Sequence, residues 1–185
     1  MPIRMLNLVF LGALALSGCA PYPMDPLSDG VQAAATLSPT QGSTVQGRMH
    51  FSKQPDGSVR VSGSVQGLPA NSVHGFHLHE KGDCSAPDGS SAGGHFNPML
   101  TAHGAHGAGH AGDLPSLRAD GSGVARFDFS SRSITVGHGR TDVIGQAVIV
   151  HQNADDFTTQ PTGNAGGRLA CGVVTRANSS QPATP

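Results

Sequence analysis

Short runs in which apolar and polar residues alternate recur through the middle of the chain, and they predict β-strands. Six runs carry this pattern: "TVQGRMHFS", "SVRVSGSVQG", "VHGFHLHE", "GVARFDFS", "GQAVIVH" and "RLACGVV". Turn-forming residues bound them, including Pro55-Asp56-Gly57 and Ala119-Asp120-Gly121. A sustained helical period is absent from every window of the sequence. The pattern therefore predicts an all-β sandwich or barrel.

Two long segments between these runs lack any repeating pattern, from about residue 81 to 117 and from about 152 to 167. Such loops in a compact domain are usually functional or disordered. Before the first run, residues 19–40 are rich in Ala, Pro, Ser and Thr, which predicts a flexible tether. Residues 178–185 are predicted to be a disordered tail. The folded domain is thus expected to span residues 41–177.

The N-terminus has the features of a targeting segment, and residues 1–18 are predicted to be a signal peptide. Arg4 precedes the apolar run Leu6–Leu16, which is too short to span a bilayer. The following "LSGC" resembles a bacterial lipobox, which implies a lipid on Cys19, and Ala20 favours the outer membrane by the same resemblance. The alternative is an ordinary secretory signal with a chance cysteine. Either interpretation predicts export to the periplasm or cell envelope, with membrane contact only through the lipid.

Composition narrows the class of protein and raises one unusual feature. The 185 residues suggest one domain, and 26 glycines agree with many turns. A formal charge of −1 gives no excess of the kind that binds nucleic acid. The chain holds 10 histidines, however, and most of them fall between His74 and His110. Histidine at this density directs attention to metal binding.

The chain has three cysteines, and the roles predicted for them depend on whether Cys19 carries a lipid. If Cys19 carries a lipid, Cys84 and Cys171 remain, and an oxidising compartment favours a disulfide between them. Two buried free thiols are the alternative.

Candidate metal ligands lie on strands and in the first long loop. Period two places His77 and His79 side by side on one face of a strand, and "VIVH" ends another strand at His151. The loop adds a further set of donors: His95, His103, His106, His110 and Asp113. Imidazole suits copper and zinc, and a single carboxylate is common in closed zinc sites.

Five segments together resemble the copper–zinc superoxide dismutases: "VHGFHLHEKGDC", "SAGGHFNP", "GHAGDL", "VIVHQNADD" and "TGNAGGRLACGVV". They occur in the order found in that family and span about residues 73 to 174. The resemblance implies an eight-stranded flattened Greek-key barrel with two long functional loops. It also implies disproportionation of superoxide to dioxygen and hydrogen peroxide, with one copper and one zinc per subunit.

The same resemblance assigns the ligands by position. It implies that copper is bound by His77, His79, His95 and His151, and zinc by His95, His103, His110 and Asp113. His95 would bridge the two ions and supply a proton. At zinc, the nearby His106 could take the place of His103.

Further roles follow from the resemblance. Asp155 matches a carboxylate that ties a copper histidine to a zinc histidine, and Arg168 matches the arginine that orients superoxide. Cys84 and Cys171 match the family's disulfide. The counterpart of His74 joins loops by hydrogen bonds and binds no metal.

The predicted function is protection of the cell envelope from superoxide. The alternative is an exported copper- and zinc-binding protein, or a superoxide dismutase-like scaffold without turnover. The segment 152–167 contains no lysine, so steering of superoxide by this loop is in doubt, and Lys81 or Arg118 could serve instead. The sequence is compatible with a monomer or a homodimer.

Overall fold

The computed structural model describes residues 32–177, whose regular structure is almost entirely β-strand. In chain order the strands are β1 Gln32–Pro39, β2 Gln46–Lys53, β3 Val59–Gln66, β4 Val73–His74, β5 Phe76–His79, β6 Leu117–Arg118, β7 Ala125–Ser131, β8 Ala147–His151, β9 Arg168–Val173 and β10 Thr175–Arg176. Within this range the single helical element is a 3₁₀ turn at Ser90–Ala92. The predicted all-β class is confirmed.

Eight of the strands form one antiparallel sheet, which curls towards a barrel. Its order is β5-β8-β9-β1-β2-β3-β7, with β10 beside β1, while β4 and β6 form a separate pair. Phe76 of β5 and Phe127 of β7 lie at opposite ends of this order, yet their ring centroids are 5.2 Å apart. The sheet therefore curls back on itself around the core, as the predicted barrel requires.

The alternation seen in the sequence becomes the two faces of this sheet. On β2 and β3, Met49, Phe51 and Val61 are fully buried, whereas Arg48 and Arg60 point to solvent. Antiparallel pairing sets Phe51 opposite Val61 and so brings apolar side chains together on one face. Each large apolar side chain buried in this way contributes roughly 1.5–3 kcal/mol.

The prediction of a tether over residues 19–40 was wrong for Gln32–Pro39, which form β1 in the middle of the sheet. Its core-facing residues are Ala33, Ala35 and Leu37, and all three are buried. Two of these are alanines, and Ala34 between them is also apolar, so the alternation is too weak to recognise. The folded domain therefore begins no later than Gln32 rather than at residue 41.

Both predicted long loops are observed. The first connects β5 to β6 and the second connects β8 to β9. A disulfide joins Cys84 in the first loop to Cys171 on β9, with a Cα–Cα distance of 5.8 Å, as predicted.

The predicted signal peptide, the lipid on Cys19 and the tail at 178–185 lie outside the described residues. Among residues 32–177, no helix has the length and apolar character needed to cross a membrane.

Candidate metal centre

Strand register brings the strand-borne histidines together at one end of the sheet. His77 and His79 of β5 pair with Ile149 and Ala147 of β8, and His151 follows at the end of β8. On the other edge of β5, the first loop returns and forms isolated bridges from His95 to His79 and from Asp113 to His77. The backbone alone therefore places these five side chains around one point.

Four buried histidines form what we call the all-histidine cluster: His77, His79, His95 and His151. One ring nitrogen from each lies within 4.8 Å of the others. The Nε2 atoms of His79 and His151 are 3.2 Å apart. Four inward-facing imidazoles at this spacing can hold a transition-metal ion, and all-nitrogen donors suit copper.

A second group, which we call the mixed cluster, shares His95 with the first: His95, His103, His110 and Asp113. His95 Nδ1 lies 3.0 Å from Asp113 Oδ1 and 3.4 Å from His110 Nδ1, and His110 Nδ1 lies 3.3 Å from Asp113 Oδ1. Ligands about 2.05 Å from a tetrahedral zinc would be about 3.3 Å apart. The mixed cluster therefore has the donor types and the spacing that zinc requires.

In the three strand-borne histidines, one ring nitrogen faces away from the cluster and is hydrogen-bonded. The other ring nitrogen therefore faces the centre of the cluster. His77 Nε2–H donates to Asp155 Oδ2 at 2.7 Å, and His79 Nδ1–H donates to the Gly93 carbonyl at 2.9 Å. His151 Nδ1 lies 3.3 Å from the Gly166 carbonyl. The donors left for a metal are therefore His77 Nδ1, His79 Nε2 and His151 Nε2.

Among residues 32–177, three buried side-chain nitrogens have no hydrogen-bond partner: His77 Nδ1, His95 Nε2 and His103 Nδ1. Buried polar atoms without partners are rare in folded proteins because each costs about 1–3 kcal/mol. All three belong to rings of the two clusters, and His77 Nδ1 and His95 Nε2 belong to the all-histidine one. The residues present fit two metal ions, since bound ions would satisfy these nitrogens.

Asp155, on the second loop, connects the two clusters. Its Oδ2 accepts the hydrogen bond from His77, and its Oδ1 lies 2.9 Å from His103 Nε2. Burial raises the pKa of this carboxyl, but hydrogen bonds from His77, the Phe157 N–H and His103 outweigh burial and lower the pKa. Asp155 is therefore a stable anion that fixes one ring in each cluster.

Burial keeps the strand-borne histidines neutral. It lowers the pKa of His77 to about 4 and that of His151 to about 3. Neighbouring imidazoles add to the effect, and the hydrogen bonds that His77 donates to Asp155 and His151 donates to the Gly166 carbonyl oppose it. Burial also lowers the pKa of His79 well below its usual value, with His151 adding to the effect. Neutral imidazole is the form that ligates metals, so these rings are prepared for binding at neutral pH.

Asp113 is oriented by the backbone of its own loop. Burial raises the pKa of its carboxyl, but hydrogen bonds from His95 and from the N–H groups of Gly104 and His110 lower the pKa far more. Both N–H groups donate to Oδ2, at 3.1 and 2.8 Å. This leaves Oδ1 directed at His95 and His110, where a metal would be bound.

Arg168 begins β9 and adjoins the all-histidine cluster. Its guanidinium donates to the carbonyls of Gly89 at 2.7 Å and Gly93 at 2.6 Å. The Gly93 carbonyl also accepts from His79, so one oxygen joins Arg168 to the cluster. The positive charge of Arg168 contributes to the lowered pKa of both His79 and His151.

The remaining histidines do not join the clusters. His74 is hydrogen-bonded to Ser72 Oγ at 2.7 Å and to the His151 carbonyl at 2.8 Å, a loop-joining contact as the resemblance implied. His106 donates from Nδ1 to the Asp113 carbonyl at 2.9 Å, and its ring packs against Phe129. The structure thus groups His103 with the mixed cluster and directs His106 elsewhere.

Between His95 and His103, the first loop forms a small closed turn. The Asn97 side chain accepts from the Thr101 N–H at 3.0 Å and donates to the Thr101 carbonyl at 2.8 Å. The tip carries Met99 and Leu100, which are 56% and 89% exposed. The two histidines on either side are therefore separated from the exposed tip by hydrogen bonds at the base of the turn.

The two suggested steering residues lie apart from each other. Arg118 lines an open hollow of about 530 Å³ beside Asp155, His106 and Phe157, on the side of the second loop. Lys81 is exposed and follows β5, where its N–H donates to the Ala92 carbonyl at 3.1 Å.

Two side chains that support the site were not identified from the sequence. Gln160 is hydrogen-bonded to both peptide groups of His103, and Thr40 Oγ1 donates to the Arg168 carbonyl at 2.6 Å. Both act on backbone atoms of distant residues, and such contacts leave no local sequence pattern.

Comparison with known proteins agrees with the geometry. Residues 45–174 match the family model described as copper/zinc superoxide dismutase. The chain is 33% identical to "Superoxide dismutase [Cu-Zn] 2" of Aquifex aeolicus, over 93% of this chain and 99% of that protein. It is 32% identical to "Superoxide dismutase-like protein YojM" of Bacillus subtilis, over 96% of this chain and 99% of that protein.

Among solved structures, the chain is similar to one titled "Crystal Structure Analysis of the clock protein EA4". The TM-score is 0.72 and the sequence identity 39%, with 80% of this chain and 96% of that chain covered. The family match covers most of the chain, and two clusters with the donors that copper and zinc prefer lie within the matched residues. The chain therefore belongs to the copper/zinc superoxide dismutase family, oxidoreductases that bind copper and zinc and act on superoxide.

Proposed function

We propose that His95 is the ligand shared by the two sites: its Nε2 side would help to hold copper and its Nδ1 side would help to hold zinc. The main support for this proposal is that the His95 ring belongs to both clusters. Its Nδ1 lies 3.0 Å from Asp113 Oδ1, while its Nε2 is buried without a hydrogen-bond partner. An imidazole that binds two cations loses both ring protons, which the two charges together make favourable near neutral pH.

The proposed copper ligands are those of the all-histidine cluster, and the proposed zinc ligands are those of the mixed cluster. Copper, when bound, supplies one-electron transfer in either direction, and zinc supplies a fixed positive charge without redox chemistry. Asp155 holds His77 and His103 in the tautomers that leave their Nδ1 atoms free.

Arg168 orients the substrate in this proposal. Its guanidinium is fixed by two carbonyls and lies next to His79 through the shared Gly93 oxygen. A planar, delocalised cation held in this way binds a small anion such as superoxide in a defined orientation. The fixed position also means that little conformational entropy is lost when the anion binds.

His95 also serves as a proton donor. The reaction converts two superoxide anions and two protons into dioxygen and hydrogen peroxide. In the part of the cycle in which copper does not hold it, His95 Nε2 would take up one proton from water and pass that proton to the anion being reduced, while Nδ1 stays with the mixed cluster. The second proton comes from water.

We further propose that the enzyme protects the cell envelope. The support is in the sequence: an apolar segment follows Arg4 and ends in "LSGC" at Cys19. Mass spectrometry of the mature protein tests this directly. A mature chain that begins at an acylated Cys19 supports anchoring, whereas a chain that retains residues 1–18 contradicts export.

Metal content and superoxide consumption test the proposed centre together. We expect one copper and one zinc per subunit, with activity lost on chelation and regained when both metals are returned. His95→Ala should lower activity by about 10²–10⁴-fold, because it removes a ligand of both ions and a proton donor. His106→Ala is the matched control and should retain activity.

A binding protein without turnover would give a different result. It would take up both metals, yet the superoxide consumption of the wild type would not exceed that of the His95→Ala variant. Equal activity of His95→Ala and the wild type would contradict the proposed mechanism.

A further inference from the structure

Gln160, in the second loop, pairs with the backbone of His103 in the first loop. Its Oε1 accepts from the His103 N–H at 2.8 Å, and its Nε2 donates to the His103 carbonyl at 3.0 Å. One side-chain amide thereby satisfies both peptide groups of a single residue, as a neighbouring strand does in a sheet. The two residues are 57 positions apart in sequence.

The ring of His103 is fixed by the same loop. Its Nε2 lies 2.9 Å from Asp155 Oδ1, and the side chain is fully buried. Residues of the second loop therefore hold His103 at its N–H, its carbonyl and its ring. The one polar atom left is Nδ1, which lies 3.1 Å from Asp113 Oδ2 and faces the mixed cluster.

The segment around His103 has little conformational preference of its own. "HGAHGAGH", residues 103–110, contains glycine at positions 104, 107 and 109, and Gly107 adopts a positive φ of 82°. Glycine permits many backbone conformations, so an unsupported segment of this kind would sample several arrangements. A contact from outside the segment must therefore set the position of its histidines.

By sequence spacing, either His103 or His106 could fill one ligand position of the mixed cluster. Of these two, only His103 is hydrogen-bonded to Gln160. His106 donates to the Asp113 carbonyl and packs against Phe129, away from the cluster. We propose that Gln160 is a positioning residue for the zinc site. By holding the backbone of His103, Gln160 directs the His103 ring into the site and thereby excludes His106 from it. This inference rests on the proposed function, in that the mixed cluster must be the zinc site.

The test compares Gln160→Met with Gln66→Met in the full-length enzyme loaded with copper and zinc. Methionine keeps the length of glutamine but removes both hydrogen bonds, and Gln66 is an exposed glutamine on β3, a strand that carries none of the clustered residues. Zinc affinity is measured by competition with a chromogenic chelator. We expect Gln160→Met to weaken zinc binding by about 10–100-fold, the usual effect of losing a partner that orients a ligand.

Two further measurements separate positioning from general structural damage. Cobalt(II) in the zinc position should show altered visible absorption in Gln160→Met, while the thermal unfolding midpoint of the metal-free protein should fall by no more than about 4 °C, because two part-buried hydrogen bonds between loops are lost and the pairing of the sheet is unchanged. Gln160→Glu keeps the acceptor for the His103 N–H and loses the donor. Its zinc affinity should therefore fall between those of Gln160→Met and the wild type.

Equal zinc affinity in Gln160→Met and Gln66→Met would overturn the inference while leaving the zinc site intact. If the wild type itself held no zinc, or held zinc after His110→Ala as tightly as before, the proposed function would fail instead. The two failures are therefore distinguishable in one set of measurements.

Discussion

The all-histidine cluster and the mixed cluster share His95, but different forces hold them in place. In the all-histidine cluster, His77, His79 and His151 lie on β5 and β8, whose antiparallel register fixes the backbone. The mixed cluster takes His103, His110 and Asp113 from a glycine-rich loop. Asp113 is also joined to His77 by an isolated backbone bridge, but His103 and His110 are held mainly by side chains that bond to the backbone or to another ring.

The difference shows that backbone pairing fixes more of the all-histidine cluster than of the mixed cluster. Strand pairing positions His77, His79 and His151, because register decides which side chains are neighbours. His103 and His110 depend more on individual contacts from Asp155, Gln160 and the Asp113 carboxylate. Perturbing those contacts should affect the mixed cluster first.

Removing the disulfide should have the largest effect, because it is the covalent link between the first loop and β9. In the double variant Cys84→Ala with Cys171→Ala, we expect the free energy of unfolding of the metal-free protein to fall by up to about 4.5 kcal/mol, since the bridge closes a loop with a sequence separation of 87. Denaturant titration measures this, with Cys19→Ala as the control. A loss under about 1 kcal/mol would contradict the prediction.

Removing the metals should loosen the two clusters unequally. We expect amide hydrogen exchange in residues 103–113 to accelerate on the order of 100-fold, while amides of β5 and β8 change by less than about threefold, because the strands keep their pairing without metal. Mass spectrometry with deuterium labelling of the protein before and after chelation measures both regions. Equal acceleration in the strands and the loop would show that the two clusters are held in the same way.

Asp155→Asn tests the link between the clusters. An asparagine has one acceptor oxygen, so it can accept from His77 or from His103 but not from both. We expect zinc affinity to fall by about 10–100-fold and copper affinity to fall less, because strand register still positions His77. Asp128→Asn, at an exposed ion pair on β7, is the control in the same chelator competition. A larger loss of copper than of zinc would reverse the comparison.

Acid should destabilise the metal-free protein through the all-histidine cluster. The folded-state pKa of His77 is lowered to about 4 and that of His151 to about 3, whereas an unfolded histidine has a pKa near 6.5. Between these values the unfolded state binds more protons, so stability falls as pH drops from about 6.5 towards 4. The expected slope is up to about 1.4 kcal/mol per pH unit for each histidine.

Denaturant unfolding at pH 6.5, 5.5 and 4.5 measures this slope. His151→Gln should reduce it, and His138→Gln, at an exposed position, should not. An unchanged slope in His151→Gln would show that burial does not keep His151 neutral in the folded protein.

Salt should have the smallest effect. The second loop, residues 152–167, contains no lysine, and Arg168 is fixed beside the all-histidine cluster. We expect kcat/KM for superoxide to fall by less than about twofold between 20 and 200 mM salt, because few exposed charges act over a Debye length. Thr158→Lys should increase the salt dependence. A steep decline in the wild type would show that charges elsewhere steer the anion.

The fold and most of the candidate site could be predicted from the sequence, because both depend on short stretches of neighbouring residues. Alternation predicted the strands that carry His77, His79 and His151, and the lack of any repeating pattern between the strands predicted the two loops. β1 could not be predicted, since Ala33, Ala34 and Ala35 give no contrast between its two faces. Its central place in the sheet depends on pairing with β2 and β9. The alternation of residues within β1 does not show which strands it pairs with.

The resemblance favoured His103 over His106, but the spacing of the residues did not by itself separate the two. Both lie in the same glycine-rich segment, and spacing alone allows either ring to reach the mixed cluster. The deciding contacts come from Asp155 and Gln160, more than 50 positions downstream. Long-range hydrogen bonds to a backbone have no periodicity, so they become visible only in three dimensions.

The closed turn between Asn97 and Thr101 makes this part of the chain suitable for protein engineering. Because the Asn97 amide seals the base of the turn, a peptide tag or a fluorophore attached at Leu100 would extend into solvent without pulling on His95 or His103. The same arrangement gives evolution a place to lengthen the chain near the two clusters at little cost to the positions of their side chains.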